Sequence, residues 1–246
     1  MSMSQAPLDT SWADSLVLPP AGNMMSAGSQ AAGVFIRQGT RMFGAIEKCI
    51  TDHMGGSPIS ELNVLDFGCG VGRVTLPFHH RHKQPRTVCD VDKDALAYVA
   101  SAIPTINAVR TDYTPPTPFL DNAFDVVFAI SVWTHLPEDL QMAWLGEIRR
   151  IVKPGGLALL TTSSFRALES RRGKLPDWKD VTDAELTSAG FIFKKAGATK
   201  GVTGTYGYAL HTADYVRNNW SKYFEVIDIV EGGIEGVQDI NVLRRT

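Results

Sequence analysis

The chain is short of most features that mark a specialised class. Its three cysteines, Cys49, Cys69 and Cys89, are odd in number and lack metal-ligand spacing, so they read as reduced thiols of a cytoplasmic protein. No Lys or Arg precedes Arg37, so the N-terminus lacks the charged start of a signal peptide. No apolar run approaches the length of a bilayer span, and no membrane partner is expected. Positive charge is not in surplus: 24 basic residues face 26 acidic ones, a formal net charge of −2, which argues against a nucleic-acid partner. The run His79-His80-Arg81-His82-Lys83 has no Cys, Asp or Glu spaced to complete a metal site. It reads as a basic helix end suited to the negative pole of the helix dipole. Repeats and low-complexity tracts are absent. These exclusions leave an ordinary soluble composition, 44% hydrophobic and 20% charged, in 246 residues. That length suits one sizeable domain with an elaboration.

What is present is concentrated in residues 61–75. Leu62, Val64, Leu65 and Phe67 predict a short strand of a parallel sheet, buried on both faces. Gly68, Gly70 and Gly72 follow, then helix-like apolar spacing over residues 71–83, with Pro77 expected to kink that helix or shift its start. Strand, glycine-rich turn and helix together make a nucleotide cradle: the backbone can come close to a ligand, and the helix start offers unpaired N–H groups. Asp66 stands at the strand's carboxyl end. A carboxylate there would repel a pyrophosphate and welcome a ligand with a free amino group. The spacing G-x-G-x-G, with Arg73 where the dinucleotide fingerprint needs its third glycine, also argues against a nicotinamide dinucleotide.

Around this stretch the chain alternates between strand and helix. Residues 1–28 are a polar lead-in, read as either disordered or a lid over the site. Residues 29–53 predict a helix with Phe35, Met42, Phe43, Ile46 and Ile50 on one face, stopped by Gly55-Gly56-Ser57-Pro58. A second strand, 87–91, brings Asp90 to its carboxyl end, where an acid can accept both ribose hydroxyls or, alternatively, cap a helix. Asp92 is expected to cap the next helix. A third strand, 106–109, delivers Asp112 and Tyr113. The fourth, 124–131, ends on Ser131, with Asp125 given a structural role at its start. Pro137 then opens a helix with Leu140, Trp144, Ile148 and Ile151 as its buried stripe. Lys153-Pro154-Gly155-Gly156 closes that helix before a fifth strand at 157–161. Residues 163–211 break the alternation. A short helix at 182–189, ended by Gly190, and two extended runs flanking a Gly/Thr/Lys-rich connection predict an inserted hairpin or cap. A helix at 211–223 and two last strands, 224–230 and 237–243, joined by a glycine-rich hairpin, predict an antiparallel finish.

Val64-Leu65-Asp66-Phe67-Gly68-Cys69-Gly70-Val71-Gly72 resembles the first motif of the class I S-adenosylmethionine-dependent methyltransferases. Ser131-Val132-Trp133-Thr134-His135-Leu136-Pro137 is similar to the Ser-Val-Phe-Thr-His-Leu-Pro pattern of a bacterial subgroup, some of whose members are associated with glycan or small-metabolite modification. The resemblance covers residues 64–162. It implies an α/β fold: a Rossmann-like, doubly wound, seven-stranded sheet of order 3-2-1-4-5-7-6 with its last strand antiparallel and a small inserted cap. The domain would span residues 29–246, with the cap at 163–211. It also implies S-adenosyl-L-methionine as cofactor and S-adenosyl-L-homocysteine as its product. Asp66 would hold the amino group of the methionine moiety, Asp90 the ribose and Asp112 the adenine amino group. Gly68, Cys69, Gly70, Gly72, Val91, Tyr113 and Ser131 complete the implied cofactor-binding set, with Cys69 as a small buried residue rather than a nucleophile.

Methyl transfer needs the acceptor fixed behind the methyl group, and a hydroxyl acceptor gains from a general base. The candidate bases are His135, just past strand four, and His211, at the return from the inserted segment. Trp133, Tyr206 and Tyr208 are candidate pocket aromatics, and Trp178, Tyr206, Tyr208 and His211 make residues 163–211 a candidate lid. The expected function is methyl transfer to a small-molecule or glycan-type acceptor at a hydroxyl oxygen. The alternatives are a non-catalytic cofactor-binding module, methylation at nitrogen, or a macromolecular acceptor. A base-methylating enzyme would carry Asn/Asp-Pro-Pro-aromatic after strand four, where Ser131-Val132-Trp133-Thr134 stands; Pro115-Pro116 follows strand three instead.

Overall fold

A computed structural model of the chain describes residues 8–14, 16–26, 31–196 and 206–246. The helices are α1 (Ala21–Ser26), α2 (Ala32–His53), α3 (Thr75–His82), α4 (Lys93–Ala102), α5 (Glu138–Ile151), α6 (Phe165–Arg172), α7 (Asp183–Ala189) and α8 (Ala213–Trp220). The strands are β1 (Val64–Phe67), β2 (Thr87–Asp90), β3 (Asn107–Arg110), β4 (Phe124–Ala129), β5 (Val152–Ser163), β6 (Phe191–Lys195), β7 (Gly207–His211), β8 (Glu225–Ile234) and β9 (Gln238–Arg244). Seven of them form one sheet in the order β3-β2-β1-β4-β5-β9-β8, while β6 and β7 pair separately. Neighbours among β1–β5 run parallel, and β9 runs antiparallel to both β5 and β8. With the inserted pair set aside, this is the expected order 3-2-1-4-5-7-6 of a Rossmann-like sheet.

Strand alternation decides which helix covers which face. Val126 and Phe128 of β4 point into a core shared with Phe43, Ile46 and Ile50 of α2. Val127 and Ala129 point the other way, onto Trp144, Leu145 and Ile148 of α5 and Trp220 of α8. Each fully buried side chain of this size stabilises the fold by about 1.5–3 kcal/mol. The expected stripes of α2 and α5 are all buried. A third cluster joins α3 and α4 to the lead-in, where Trp12 donates from Nε1 to Thr40 Oγ1 at 2.9 Å.

Several element boundaries differ from expectation for local reasons. α3 begins at Thr75, so Pro77 falls in its first turn, where its missing N–H leaves no intrahelical bond unmade. β5 begins at Val152: Lys153–Gly156 stays in the sheet as an irregularity, the pairing jumping from Phe124↔Val152 to Val126↔Leu157. Asp125 supports that region, accepting from the Asn63 N–H and from Lys153 Nζ. Pro137 precedes α5 as its cap residue rather than opening it. Between β5 and β7 the chain adds α6, which the sequence pattern did not reveal, and a small core of its own around Leu168, Trp178, Leu186 and Leu210. The Gly/Thr/Lys-rich connection at 197–205, residues 1–7 and 15 of the lead-in, and 27–30 at its end and the expected start of α2 lie outside the described residues.

Candidate active site

The carboxyl ends of β1, β2, β3 and β4 open into one cavity of about 670 Å³. Open α/β sheets place ligands at this edge. Asp66 is 3% exposed, and its carboxylate accepts a hydrogen bond from the Thr75 hydroxyl at 2.6 Å. Burial, helped by the nearby charge of Asp90, pushes its pKa up to about 7 against that bond. A carboxyl group in this state gains most from a cationic ligand, which would restore its charge.

Asp90 does not cap a helix; Asp92 does, accepting from the N–H groups of Asp94 and Ala95. Asp90 instead accepts from the Gly70 N–H at 2.7 Å and the Asp92 N–H at 2.9 Å, so it ties the glycine loop to the end of β2. Burial raises its pKa, against these bonds. Each carboxylate oxygen retains a lone pair for a ligand hydroxyl. The glycine loop is close-fitting: Gly68 has φ +75°, and a Cβ there would lie 2.5 Å from Val132 Cγ2. Gly39 of α2 plays the matching part from outside, since a Cβ there would lie 2.3 Å from the Arg73 carbonyl. That close approach is what puts Gln38 and Met42 into the cavity wall.

Gly68, Cys69, Gly70, Val91, Asp112, Tyr113, Ser131 and His135 also line the cavity. Burial holds the Cys69 thiol well above its usual pKa, so it is an inert wall residue. Gly72 is not in the wall; its position for a Cβ faces Val99, Leu76 and Thr75, and it serves helix packing instead. Ser131 carries a positive φ, +62°, uncommon for a residue with a side chain. A closed ring of hydrogen bonds holds it there. The Ser131 N–H donates to Thr161 Oγ1, Thr161 donates to Gln238 Oε1, and Gln238 Nε2 donates to Ser131 Oγ, each at 2.8 Å.

The two candidate histidines have different fates. His135 Nδ1 lies 2.9 Å from the Gly207 carbonyl. A carbonyl only accepts, so Nδ1 carries the proton and Nε2 keeps a lone pair. The Tyr206 hydroxyl lies 3.3 Å from that Nε2, and the two rings stack with centroids 4.5 Å apart. Burial, seconded by the positive charge of Arg171, pushes the His135 pKa down to about 4. His211, by contrast, is 1% exposed and does not line the cavity. It packs against Phe191, Tyr215 and Trp220, and its Nε2 bonds Gln141 Oε1 at 2.8 Å. Gln141 uses its amide nitrogen on the carbonyls of Trp133 and Leu136, so His211 buttresses the turn that carries His135. The expectation of His211 beside the acceptor is corrected: β7 carries it into the core on the face of α5 and α8.

The expected pocket aromatics divide the same way. Tyr206 lines the cavity. Trp133 and Trp178 are buried in separate cores, and Tyr208 packs beside Arg171 in the inserted segment. The described lead-in residues pack on α3 and α4, and none lines the cavity. Sequence reasoning missed Gln38, Arg73, Glu235 and Gln238. Arg41 of α2 holds Glu235 through paired bonds of 2.7 and 2.6 Å, fixing the β8–β9 hairpin over the cavity. Arg73 lies near Glu235, and burial lowers its pKa. The His79–His82 run makes no ligand cluster among the described residues; His82 and Arg81 both meet Glu47.

Residues 64–156 match the family model described as a methyltransferase domain. The match runs from β1 to the start of β5 and so contains the carboxyl ends of β1, β2, β3 and β4, while the β8–β9 hairpin that also lines the cavity lies outside it. A sterol methyltransferase-like 2 protein of Botryococcus braunii is 34% identical over 151 residues, 53% of this chain and 38% of that protein. The tRNA N(3)-cytidine methyltransferase METTL2 of Bos taurus is 26% identical over 125 residues, 47% and 32% of the two chains. Aligned stretches span 26% to 38% of the length of the first curated relatives. Among solved structures, the glycopeptide N-methyltransferase MtfA complexed with sinefungin superposes with a TM-score of 0.56 at 18% identity, covering 83% of this chain and 94% of that one.

Proposed function

We propose that this chain transfers a methyl group from S-adenosylmethionine to a hydroxyl oxygen of a small-molecule or glycan-type acceptor in the cytoplasm. The observation that carries the reading is the cavity itself, where the strand-end acids Asp66, Asp90 and Asp112 share a wall with a neutral histidine of fixed tautomer. The residues fit this cofactor. Asp66 suits a cation, Asp90 has lone pairs for ribose hydroxyls, and Asp112 is an exposed acceptor at the cavity edge. Beside these acids the loop N–H groups of Gly68 and Cys69 are spent on the Cys89 carbonyl, and that of Gly70 on Asp90, rather than held out to a pyrophosphate. When bound, the cofactor supplies a methyl group on a sulfonium, and the acceptor oxygen takes that methyl as the carbon–sulfur bond breaks with its electrons left on sulfur.

The chain's own residues align and deprotonate. Ser131, Gln238 and Thr161 brace the strand-four turn beside the ligand, and Arg41–Glu235 fixes the opposite hairpin. His135 Nε2 takes the acceptor proton while Nδ1–H remains on the Gly207 carbonyl, which stabilises the imidazolium formed. The inserted segment contributes Tyr206 to the acceptor side. The balance of 24 basic and 26 acidic residues offers no attraction for a polyanion, which disfavours a tRNA acceptor like that named for one relative. Free, buried Cys49, Cys69 and Cys89 suit a reducing compartment. The test is calorimetry with S-adenosylmethionine, S-adenosylhomocysteine and NAD, followed by incubation with methyl-labelled cofactor and fractionated metabolites. Binding of NAD alone would overturn the reading.

A further inference from the structure

His135 and Arg171 hang from the same edge of one strand. His135 Nδ1 meets the Gly207 carbonyl at 2.9 Å, and Arg171 Nη1 donates to the Ala209 carbonyl at 3.2 Å. Carbonyls two residues apart point to the same edge of a strand and stand about 6.5–7 Å from each other. The guanidinium is therefore one strand repeat away from the proposed base. It comes from the last turn of α6 and also donates to Ser163 Oγ at 3.4 Å, and Ser163 pairs with the cavity residue Gln238. Arg171 Cζ lies 5.1 Å from the ring centroids of both Trp178 and Tyr208, and the Tyr208 ring is 5.5 Å from that of His135. The cation is thus held, half-buried, just outside the wall that His135 and Tyr206 form.

This cation has no acid of its own. The neighbouring Arg172 meets Asp183 at 2.6 Å, whereas Arg171 meets no carboxylate among the described residues. Burial pushes its pKa down to about 10, so it stays charged at neutral pH. Its two bonds go to neutral oxygens and leave most of the guanidinium N–H groups unused. The segment around it is basic as well. Residues 163–211 carry eight Lys and Arg against five Asp and Glu, while the rest of the chain carries sixteen against twenty-one. The local field therefore draws a small anion to this side of the cavity.

We infer that the acceptor carries a carboxylate, which Arg171 binds while the reacting hydroxyl faces His135. This rests on the methyl-transfer reading of the cavity. A guanidinium and a carboxylate meet through charge-assisted, often paired bonds, and aromatic neighbours that hold the fork still make the match selective. The strand repeat sets the acceptor's length. Its hydroxyl and carboxylate should stand about 6.5–7 Å apart, the span of a para-substituted ring or a short chain rather than of a 2-hydroxy acid. A bland role for Arg171 is to staple α6 onto β5 and β7. A staple would not distinguish an acid from its amide.

The experiment uses the full chain saturated with S-adenosylhomocysteine and two probe pairs: 4-hydroxybenzoate against 4-hydroxybenzamide, and 6-hydroxyhexanoate against 6-hydroxyhexanamide. Calorimetry at low salt should show at least one acid binding about tenfold or more tightly than its neutral amide. The pair that discriminates identifies a planar or a flexible acceptor. In Arg171→Gln the preference should vanish, and in Arg171→Lys part of it should remain, with S-adenosylhomocysteine affinity unchanged in both. The wild-type comparison needs no variant, so instability of Arg171→Gln leaves the test standing. The inference is overturned by equal binding within both pairs, by no binding of any probe, or by a preference that survives in Arg171→Gln. Failure of the underlying reading looks different: S-adenosylhomocysteine would not bind at all.

Discussion

The two halves of the cavity are built on different plans. The side proposed for the cofactor is made of strand ends, and its acids are set by backbone: Asp66 closes β1, and Asp90 is held by N–H groups of Gly70 and Asp92. The facing side is made of side chains brought from far apart. His135 leans on Gly207, Glu235 on Arg41, and Gln238 on Ser131. A backbone-built half tolerates changes of surrounding side chains, whereas a half built from side chains changes its ligand with each substitution. One fold can therefore keep its cofactor while its acceptor varies.

The sharpest test of that contrast is His135→Asn. It should lower kcat by roughly 10²–10⁴-fold, as loss of a general base does, with S-adenosylhomocysteine affinity unchanged by calorimetry. Unchanged turnover would move all catalytic work to alignment. Asp90→Ala should do the reverse, weakening cofactor binding by about tenfold or more, since charge-assisted bonds contribute roughly 1.5–3 kcal/mol each. It should also loosen the glycine loop, visible as faster amide exchange at Gly70.

Asp66 gives a pH signature to the cofactor half alone. Its pKa of about 7 means that a cationic ligand displaces a proton there. Affinity for S-adenosylmethionine should rise with pH, by up to about tenfold per unit below pH 7, and level off above it. Titrations in buffers of different ionisation enthalpy should show proton release. A flat profile, with Asp66→Asn binding as well as wild type, would remove Asp66 from the ligand.

The smallest effect concerns stability. His135 and His211 fold as neutral rings with pKa values of about 4 and about 3, against ~6.5 in the unfolded chain. Between roughly pH 6.5 and 4 the unfolded chain therefore binds more protons. Each ring makes stability fall as pH falls, by up to about 1.4 kcal/mol per unit. Asp66, with its pKa raised, acts in the opposite sense between about pH 4 and 7. Urea melts of His211→Asn should show a shallower acid slope and, at pH 7, a loss of ~1–3 kcal/mol for the orphaned Gln141 oxygen. Its turnover should stay near wild type, unlike that of His135→Asn.

The same division explains what could be read from the sequence. Asp66, the glycine loop, Asp90 and Asp112 follow strands whose apolar runs are unmistakable, so the strands and the acids at their ends were legible, while the strand order came from the family resemblance. His211 misled because a histidine between apolar residues looks the same whether its strand faces a cavity or a core. Only the pairing of β7 with β6 settles which. Gln238 and Glu235 carried no local signal at all. Their roles exist because β9 lies against β5 and because the hairpin meets α2, contacts across which no periodicity runs. Gln38 was hidden by Gly39, whose meaning depends on the Arg73 carbonyl arriving beside it.

Ser131 shows how such a site constrains the history of a sequence. The backbone at +62° asks for glycine, which would adopt it freely, or for asparagine, which tolerates it. The ring of bonds through Thr161 and Gln238 asks for a hydroxyl. Drift at this position is squeezed between two demands, so descendants that keep Gln238 should keep a serine. Those that lose the glutamine are free to slide to glycine. The two positions, 107 apart in the chain, should thus change as a pair, and a turnover measurement on Ser131→Gly with and without Gln238→Leu would reveal the linkage in one generation.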